Sequence, residues 1–116
     1  MSITLNYPKE NSIVDKRDIL LNVSTNKDAI CYYQLFIETP NLDLTEMSIT
    51  GKRGHFHSIE FLENNVDYLL QVECVSGEER ENIYEGFHVS WNNLEARISI
   101  ATKLRYYYGR EKIELT

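Results

Sequence analysis

The feature that most limits how this chain can fold is a series of short β-prone runs. Turn-forming residues separate these runs at intervals of about ten positions, a spacing typical of a β-sandwich or a small barrel. The chain has 116 residues, which suits one domain with one core. In the third run both alternating rows are largely apolar, which favours a central place in a sheet. The sequence predicts strands over 3–7, 19–24, 29–37, 44–50, 54–62, 66–75 and 83–91.

The charge distribution excludes two classes of partner. The net charge is −6, with 7 Lys and Arg against 15 Asp and Glu over 1–90, and 5 against 3 over 91–116. An acidic body disfavours binding to nucleic acids or to anionic membranes, because both attract basic surfaces. No stretch approaches the roughly 18 consecutive apolar residues of a membrane-spanning helix. We therefore expect neither a nucleic-acid partner nor membrane insertion, and the basic tail hints at assembly.

The segment 62–72 places Leu62 six positions before Tyr68. It resembles the corner of fibronectin type III and immunoglobulin-like domains, in which such a tyrosine sends its hydroxyl back to nearby backbone. In those families a Pro and a Thr usually stand where this chain has Asn64 and Val66. The resemblance implies that Leu62 and Tyr68 lock one corner of the fold.

A second similarity joins the segment 20–33 to His57, Tyr68 and Cys74. This pattern resembles immunoglobulin-like modules of archaeal and bacterial surface proteins. Together the two similarities cover residues 3–90, and they imply an antiparallel, all-β sandwich over 1–90 followed by an extension over 91–116. The predicted core consists of Leu5, Leu20, Val23, Tyr33, Leu35, Ile59, Phe61, Leu62, Tyr68, Leu70, Val72 and Phe87.

The family resemblance also bears on the two cysteines. It places Cys31 and Cys74 on neighbouring strands of one sheet and implies a disulfide between them. The alternative is a pair of buried free thiols that act as small hydrophobic residues. A disulfide would indicate an oxidising compartment, such as the extracellular space, a cell surface or a virion. No signal peptide is recognisable at the start of the sequence.

Evidence for a metal or catalytic site is weak. His55 and His57 are two positions apart, so both lie on one face of the predicted strand. They are weak candidates for a metal pair, because the sequence supplies no evident third ligand, and the alternative is two ordinary structural histidines. The acidic cluster over 78–85 lacks the pattern of a calcium loop and indicates a solvated loop. Signatures of hydrolases, phosphate-binding loops and dinucleotide folds are absent, so we expect no catalysis and no cofactor.

The extension alternates apolar and polar residues over 94–108. This alternation favours additional strands, although several of the same apolar residues also fall near one helical face and leave a helix as the alternative. A strand with one apolar face needs a cover. It can pair back onto its own domain as an extra hairpin that includes 112–115, or it can add to a neighbouring subunit. The candidate residues for partner binding are Leu104, Tyr106, Tyr107 and Tyr108.

Three functional classes follow from these features. The first is a non-enzymatic structural or adhesion module of a cell surface or virion, whose extension contacts another copy or a neighbouring domain of a longer chain. The second is a monomeric protein- or glycan-recognition domain that uses tyrosines as anchors, among them Tyr32, Tyr33 and the run 106–108. The third, a small enzyme or metal protein built around His55 and His57, has the least support.

Overall fold

A computed structural model describes residues 1–41 and 43–91, which form an all-β sandwich of two sheets. The predicted fold class is confirmed. The three-stranded sheet has the order β1-β3-β6, and the five-stranded sheet has the order β2-β8-β7-β4-β5. In the described part of the chain there is no helix long and apolar enough to cross a membrane. The strands are β1 (Ile3–Tyr7), β2 (Ile13–Val14), β3 (Ile19–Thr25), β4 (Ile30–Phe36), β5 (Thr45–Glu46), β6 (Gly54–Ile59), β7 (Val66–Ser76) and β8 (Glu79–Val89).

A long hairpin of β7 and β8 forms the centre of the five-stranded sheet. Its antiparallel pairing continues up to Ser76 and Glu79, so Gly77 and Glu78 alone connect the strands. Gly77 has a φ of 63°, which suits the first central position of a type II′ turn, where glycine is favoured. The acidic cluster over 78–85, which was predicted to be a solvated loop, therefore lies mostly within β8, and β8 extends further towards the turn than its predicted strand.

The chain changes sheets between β1 and β2. β1 pairs antiparallel with β3 in one sheet, whereas β2 pairs parallel with β8 in the other, with Ile13 opposite His88 and Val14 opposite Val89. This is the single parallel pair among the described strands, and the sequence did not predict it. A strand of two residues shows too little alternation to be recognised.

The core lies between the two sheets, and most of it comes from the inward rows of β3, β7 and β8. Four of the predicted core residues, Leu5, Tyr33, Leu35 and Tyr68, are partly buried against it. The buried hydrophobic cluster consists of Val14, Ile19, Leu21, Val23, Ala29, Cys31, Met47, Ile59, Leu62, Leu70, Val72, Cys74, Phe87 and Val89.

Two predicted core residues are wrong. Leu20 is 53% exposed, because the inward row of β3 is that of Leu21, which is fully buried. Phe61 is 72% exposed, because β6 ends at Ile59 and Phe61 adopts a left-handed conformation with a φ of 63°. This change of direction ends the alternation and turns Leu62, rather than Phe61, into the core.

The predictions for the extension lie outside the described residues. They concern the strand or helix over 92–108, the proposed domain boundary near residue 91 and the hairpin over 112–115. These stay predictions.

Candidate interaction surface

The two cysteines are joined as the resemblance implied. Cys31 of β4 lies directly opposite Cys74 of β7, both side chains are fully buried, and they form a disulfide bond. The predicted disulfide is therefore confirmed. Because both cysteines lie on neighbouring strands, the bond fastens β4 to β7 within the five-stranded sheet.

The corner around Tyr68 is held by side-chain contacts with the backbone. The hydroxyl of Tyr68 accepts a hydrogen bond from the backbone N–H of Glu63 at 2.9 Å, and its ring centroid lies 5.8 Å from that of Phe87. Leu62 is buried at the same corner, and its carbonyl accepts a hydrogen bond from the indole N–H of Trp91 at 2.7 Å. The sequence does not predict the Trp91 contact, because its two partners are 29 positions apart.

His55 is a fully buried side chain with both ring nitrogens engaged. Nε2 lies 2.8 Å from the hydroxyl of Thr25, and Nδ1 lies 2.6 Å from the hydroxyl of Thr50. The Thr25 hydroxyl donates to the carbonyl of Lys27, so its proton is used and Nε2 must donate to Thr25. The Thr50 hydroxyl accepts from the N–H of Cys31 and donates to Nδ1. This arrangement fits a neutral imidazole protonated at Nε2, and burial lowers the pKa of His55.

His57 has different surroundings from His55. Its Nδ1 accepts a hydrogen bond from the backbone N–H of Ser48 at 3.0 Å, and its ring centroid lies 4.6 Å from that of Tyr33. A metal at His55 would have to displace one of the two threonine hydroxyls. The described ranges contain no group of three His, Cys, Asp or Glu side chains that could hold a metal ion.

The outer face of the five-stranded sheet gathers exposed apolar side chains. An open groove of about 450 Å³ lies on this face, and its lining includes Gly86, Leu69, Ile13 and Ile37. At one end of the groove, His88 Nδ1 lies 2.7 Å from a carboxylate oxygen of Asp67. The exposed fractions of the large apolar residues on or beside this face are 72% for Ile13, 42% for Ile30, 52% for Ile37, 40% for Leu69 and 60% for Tyr84.

A row of amide side chains crosses the same outer face. The Gln34 side-chain amide donates to Gln71 at 2.6 Å, and the Gln71 amide donates to Asn82 at 2.8 Å. The backbone of Asn41 both donates to Gln34 and accepts from it, so the loop after β4 covers this row. Gln34 and Gln71 are consequently buried, although they point away from the core.

Among the described residues, the backbone partners of β8 on the side that faces away from β7 lie near its C-terminal end. On this side, the carbonyl of Gly86 accepts from the N–H of Asn11, and the N–H of His88 donates to the carbonyl of Ser12. No described strand pairs with residues 79–85 there, and we call this stretch the free edge of β8. Because backbone groups alternate along a strand, the even-numbered residues of the free edge direct their N–H and C=O groups outwards.

Three of the seven side chains along the free edge are acidic, and one is basic. Glu79 accepts two hydrogen bonds from the Lys27 ammonium group, which hold the pKa of this carboxyl below its ordinary value. Glu81 is exposed and Glu85 is half-buried. Burial raises the pKa of Glu85, and the neighbouring carboxyl of Glu10 raises it further. Because Glu79 also pairs with the N-terminal ammonium group at 3.3 Å, the negative charge of this edge comes mainly from Glu10, Glu81 and Glu85.

The predicted partner-binding residues fall in two groups. Leu104, Tyr106, Tyr107 and Tyr108 lie outside the described residues. Of the two tyrosines of β4, Tyr33 packs against the core and Tyr32 is half-buried on the outer face. The exposed aromatic residue of the outer face is Tyr84. The sequence does not distinguish it from the other tyrosines, because no pattern around it indicates which face of the sheet it lies on.

Comparisons with known proteins identify the architecture alone. No protein-family model and no curated protein matches the chain. It is similar to a crystal structure of an engineered protein from the Northeast Structural Genomics Consortium, with a TM-score of 0.64 and 9% sequence identity. The match covers 77% of this chain and 20% of that protein, so the chain spans about a fifth of its length. At this identity, the likeness shows a shared fold.

Proposed function

We propose that this chain is an immunoglobulin-like, fibronectin type III-like module with a structural or adhesion role and no catalytic activity. It assembles with copies of itself, or with a neighbouring domain of a longer chain, through residues 92–116. The order of the strands supports the family assignment. In immunoglobulin-like domains the first, second and fifth main strands share one sheet, and the third, sixth and seventh share the other. Here β1, β3 and β6 lie opposite β4, β7 and β8.

The clustering of exposed apolar residues on one face is the observation that carries the proposal. Single exposed apolar side chains are common on soluble proteins, whereas a contiguous group marks an interaction site. Ile13, Ile37 and Leu69 surround one groove, and Tyr84 lies on the same face beside it. A module whose role is contact with another protein needs such a face.

The disulfide supports a location in an oxidising compartment. Disulfides persist in secreted proteins, on cell surfaces and on virions, and they are rare where thiols are kept reduced. The Cys31–Cys74 bond therefore favours an extracellular or surface-exposed structural role for this module.

Multi-angle light scattering over a range of concentrations tests self-assembly. We expect the full chain to form oligomers as its concentration rises. A full-length variant with Leu104, Tyr106, Tyr107 and Tyr108 all changed to Ser, which we call the four-serine variant, should remain monomeric with an unchanged circular dichroism spectrum. A full chain that stays monomeric throughout would overturn assembly with copies of itself.

The alternative is a monomeric recognition domain for a protein or a glycan. The exposure of Tyr84 beside the groove favours it, because tyrosine is a frequent anchor of binding sites. In that case the full chain is a monomer. On glycan and protein arrays, a Tyr84→Ser variant would then lose binding and the four-serine variant would keep it.

A further inference from the structure

Strand addition at the free edge of β8 is the mode of self-assembly that the surface of this module favours. We infer that residues 94–108 of one copy add as a strand to the free edge of β8 in a second copy. This inference rests on the proposed self-assembly through residues 92–116, and it names the surface that receives them.

The free edge is long enough, and its backbone groups point in the right direction, to pair with an added strand. Arg80, Asn82 and Tyr84 direct their backbone groups away from β7, and no described strand pairs with them there. An unpaired row of this kind is a template for another strand. Asn82 lies at the middle of this row.

Other edges of the sandwich fit a strand less well. The outer side of β6 is partly covered, because Ile49 and Phe56 exchange two backbone hydrogen bonds. β5 is two residues long, and β1 offers five residues without an acidic side chain. The free edge of β8 is therefore the longest of the open edges in the described part of the chain, and it is acidic.

The position of β2 favours an added strand that comes from another copy. A tail that turned back after Trp91 would first meet the end of β8, at His88 and Val89. That position is already taken by β2, which pairs with both residues, and Ser90 N–H donates to the carbonyl of Val14. The short hairpin that would let the chain use its own free edge is therefore blocked.

The two faces of the predicted tail strand complement the two rows of side chains along the free edge in charge and in apolar character. Along β8, the odd-numbered row carries Glu81 and Glu85, and the even-numbered row continues the outer face that holds Tyr84 and Leu69. Alternation in the tail places basic residues on one face and apolar residues on the other, and opposite charges on neighbouring strands attract. The basic residues are Arg97, Lys103 and Arg105, and the apolar ones are Leu94, Ala96, Ile98, Ile100, Leu104, Tyr106 and Tyr108.

The charge on the free edge favours a cationic occupant. The carboxyls of Glu10 and Glu85 lie close enough to raise the pKa of Glu85. A basic side chain beside them relieves their repulsion. Because this attraction acts between exposed groups, association should weaken as the salt concentration rises.

A pair of full-length variants at Asn82 provides the test. Asn82→Pro removes the outward N–H that the added strand needs, whereas Asn82→Ala keeps it. Both variants lose the hydrogen bond that the Gln71 side chain donates to Asn82. They therefore share the change in the row of amide side chains and differ only in the outward backbone N–H. We expect Asn82→Pro to raise the dissociation constant of the oligomer by about tenfold and Asn82→Ala to leave it nearly unchanged. Light scattering and analytical ultracentrifugation measure the constants.

Amide hydrogen exchange gives a second readout that needs no change at the edge. The N–H groups of Arg80, Asn82 and Tyr84 should exchange more slowly in the wild-type oligomer than in the four-serine variant. If the wild-type chain associates through its tail while these amides stay unprotected, or while Asn82→Pro associates normally, the free edge is the wrong acceptor and self-assembly still stands. Protection of the same amides in a monomer would show pairing with the chain's own tail. A full chain that never associates would overturn both proposals together.

Discussion

The two faces of the five-stranded sheet are built from the same strands, yet the inner face packs into the interior of the sandwich and the outer face is partly exposed. In the interior even the buried polar group His55 has a partner for each ring nitrogen. On the outer face, Leu69 of β7 is 40% exposed, whereas the next residue along the strand, Leu70, points inwards and is 1% exposed. Beside that face, the free edge of β8 lacks a described partner strand. We therefore expect stability to depend on the interior, and association to depend on the outer face and the edge.

Removing the disulfide should give the largest effect on stability. The bond between Cys31 and Cys74 closes a separation of 43 residues. In the chain-entropy model, a loop of this size stabilises the folded protein by about 4 kcal/mol. We expect the double variant Cys31→Ala, Cys74→Ala to lose that amount in urea unfolding. A loss below about 1 kcal/mol would mean that this part of the unfolded chain is already restricted.

The neighbouring leucines of β7 test the two faces directly. Leu70→Ala leaves a cavity between the sheets and should reduce the free energy of unfolding by about 3 kcal/mol. Leu69→Ala removes a similar side chain from the outer face and should change it by less than about 0.5 kcal/mol. If association uses this face, Leu69→Ala should instead weaken the oligomer. Equal losses of stability in the two variants would contradict the proposed division between interior and outer face.

The buried His55 should make the fold sensitive to acid. Its pKa is lower in the folded chain than the ordinary value of 6.5, so the unfolded chain binds more protons in this range. The contribution of His55 to stability is therefore complete above pH 6.5 and is lost as the pH drops below it. A proton on Nδ1 would force the Thr50 hydroxyl to turn towards the carbonyl of Ala29, which is 3.4 Å away.

Urea unfolding at pH 7.5 and 5.5 measures this effect. We expect the wild-type midpoint to fall more between these two values than the midpoint of His55→Gln, which cannot take up a proton. His57→Gln serves as the matched control on the same strand. An identical pH response in wild type and His55→Gln would show that the buried ring is not the sensitive group.

Much of the fold was predictable because strands leave a periodic trace in the sequence. The run that became β1 ends at Tyr7, directly before Pro8, and the disulfide pairing followed from the family resemblance. Leu20 was placed in the wrong row because β3 begins with three apolar residues in succession, and alternation alone does not say which row faces inwards. Phe61 was misplaced because a left-handed residue breaks the alternation without any local signal.

Contacts between segments that are distant in the sequence could not be predicted, for a different reason. The threonines around His55 come from β3 and from the loop before β6, and single hydroxyl residues are too common to indicate a partner. The free edge of β8 is a property of topology, since it exists because β2 is short. A pattern within one strand cannot reveal how much of that strand its neighbours cover.

Two tyrosines offer the smallest and most specific contrast. Tyr68→Phe removes the hydroxyl that accepts the N–H of Glu63, so the corner loses one hydrogen bond while its packing on Phe87 remains. The expected loss is about 1 kcal/mol, because Glu63 is exposed and water can satisfy the released N–H. Tyr84→Phe changes the same group on the outer face and should leave the free energy of unfolding unchanged. Since both variants remove one oxygen atom, the difference between them in urea unfolding measures the corner contact, and no difference would mean that Leu62 and Trp91 hold the corner without Tyr68.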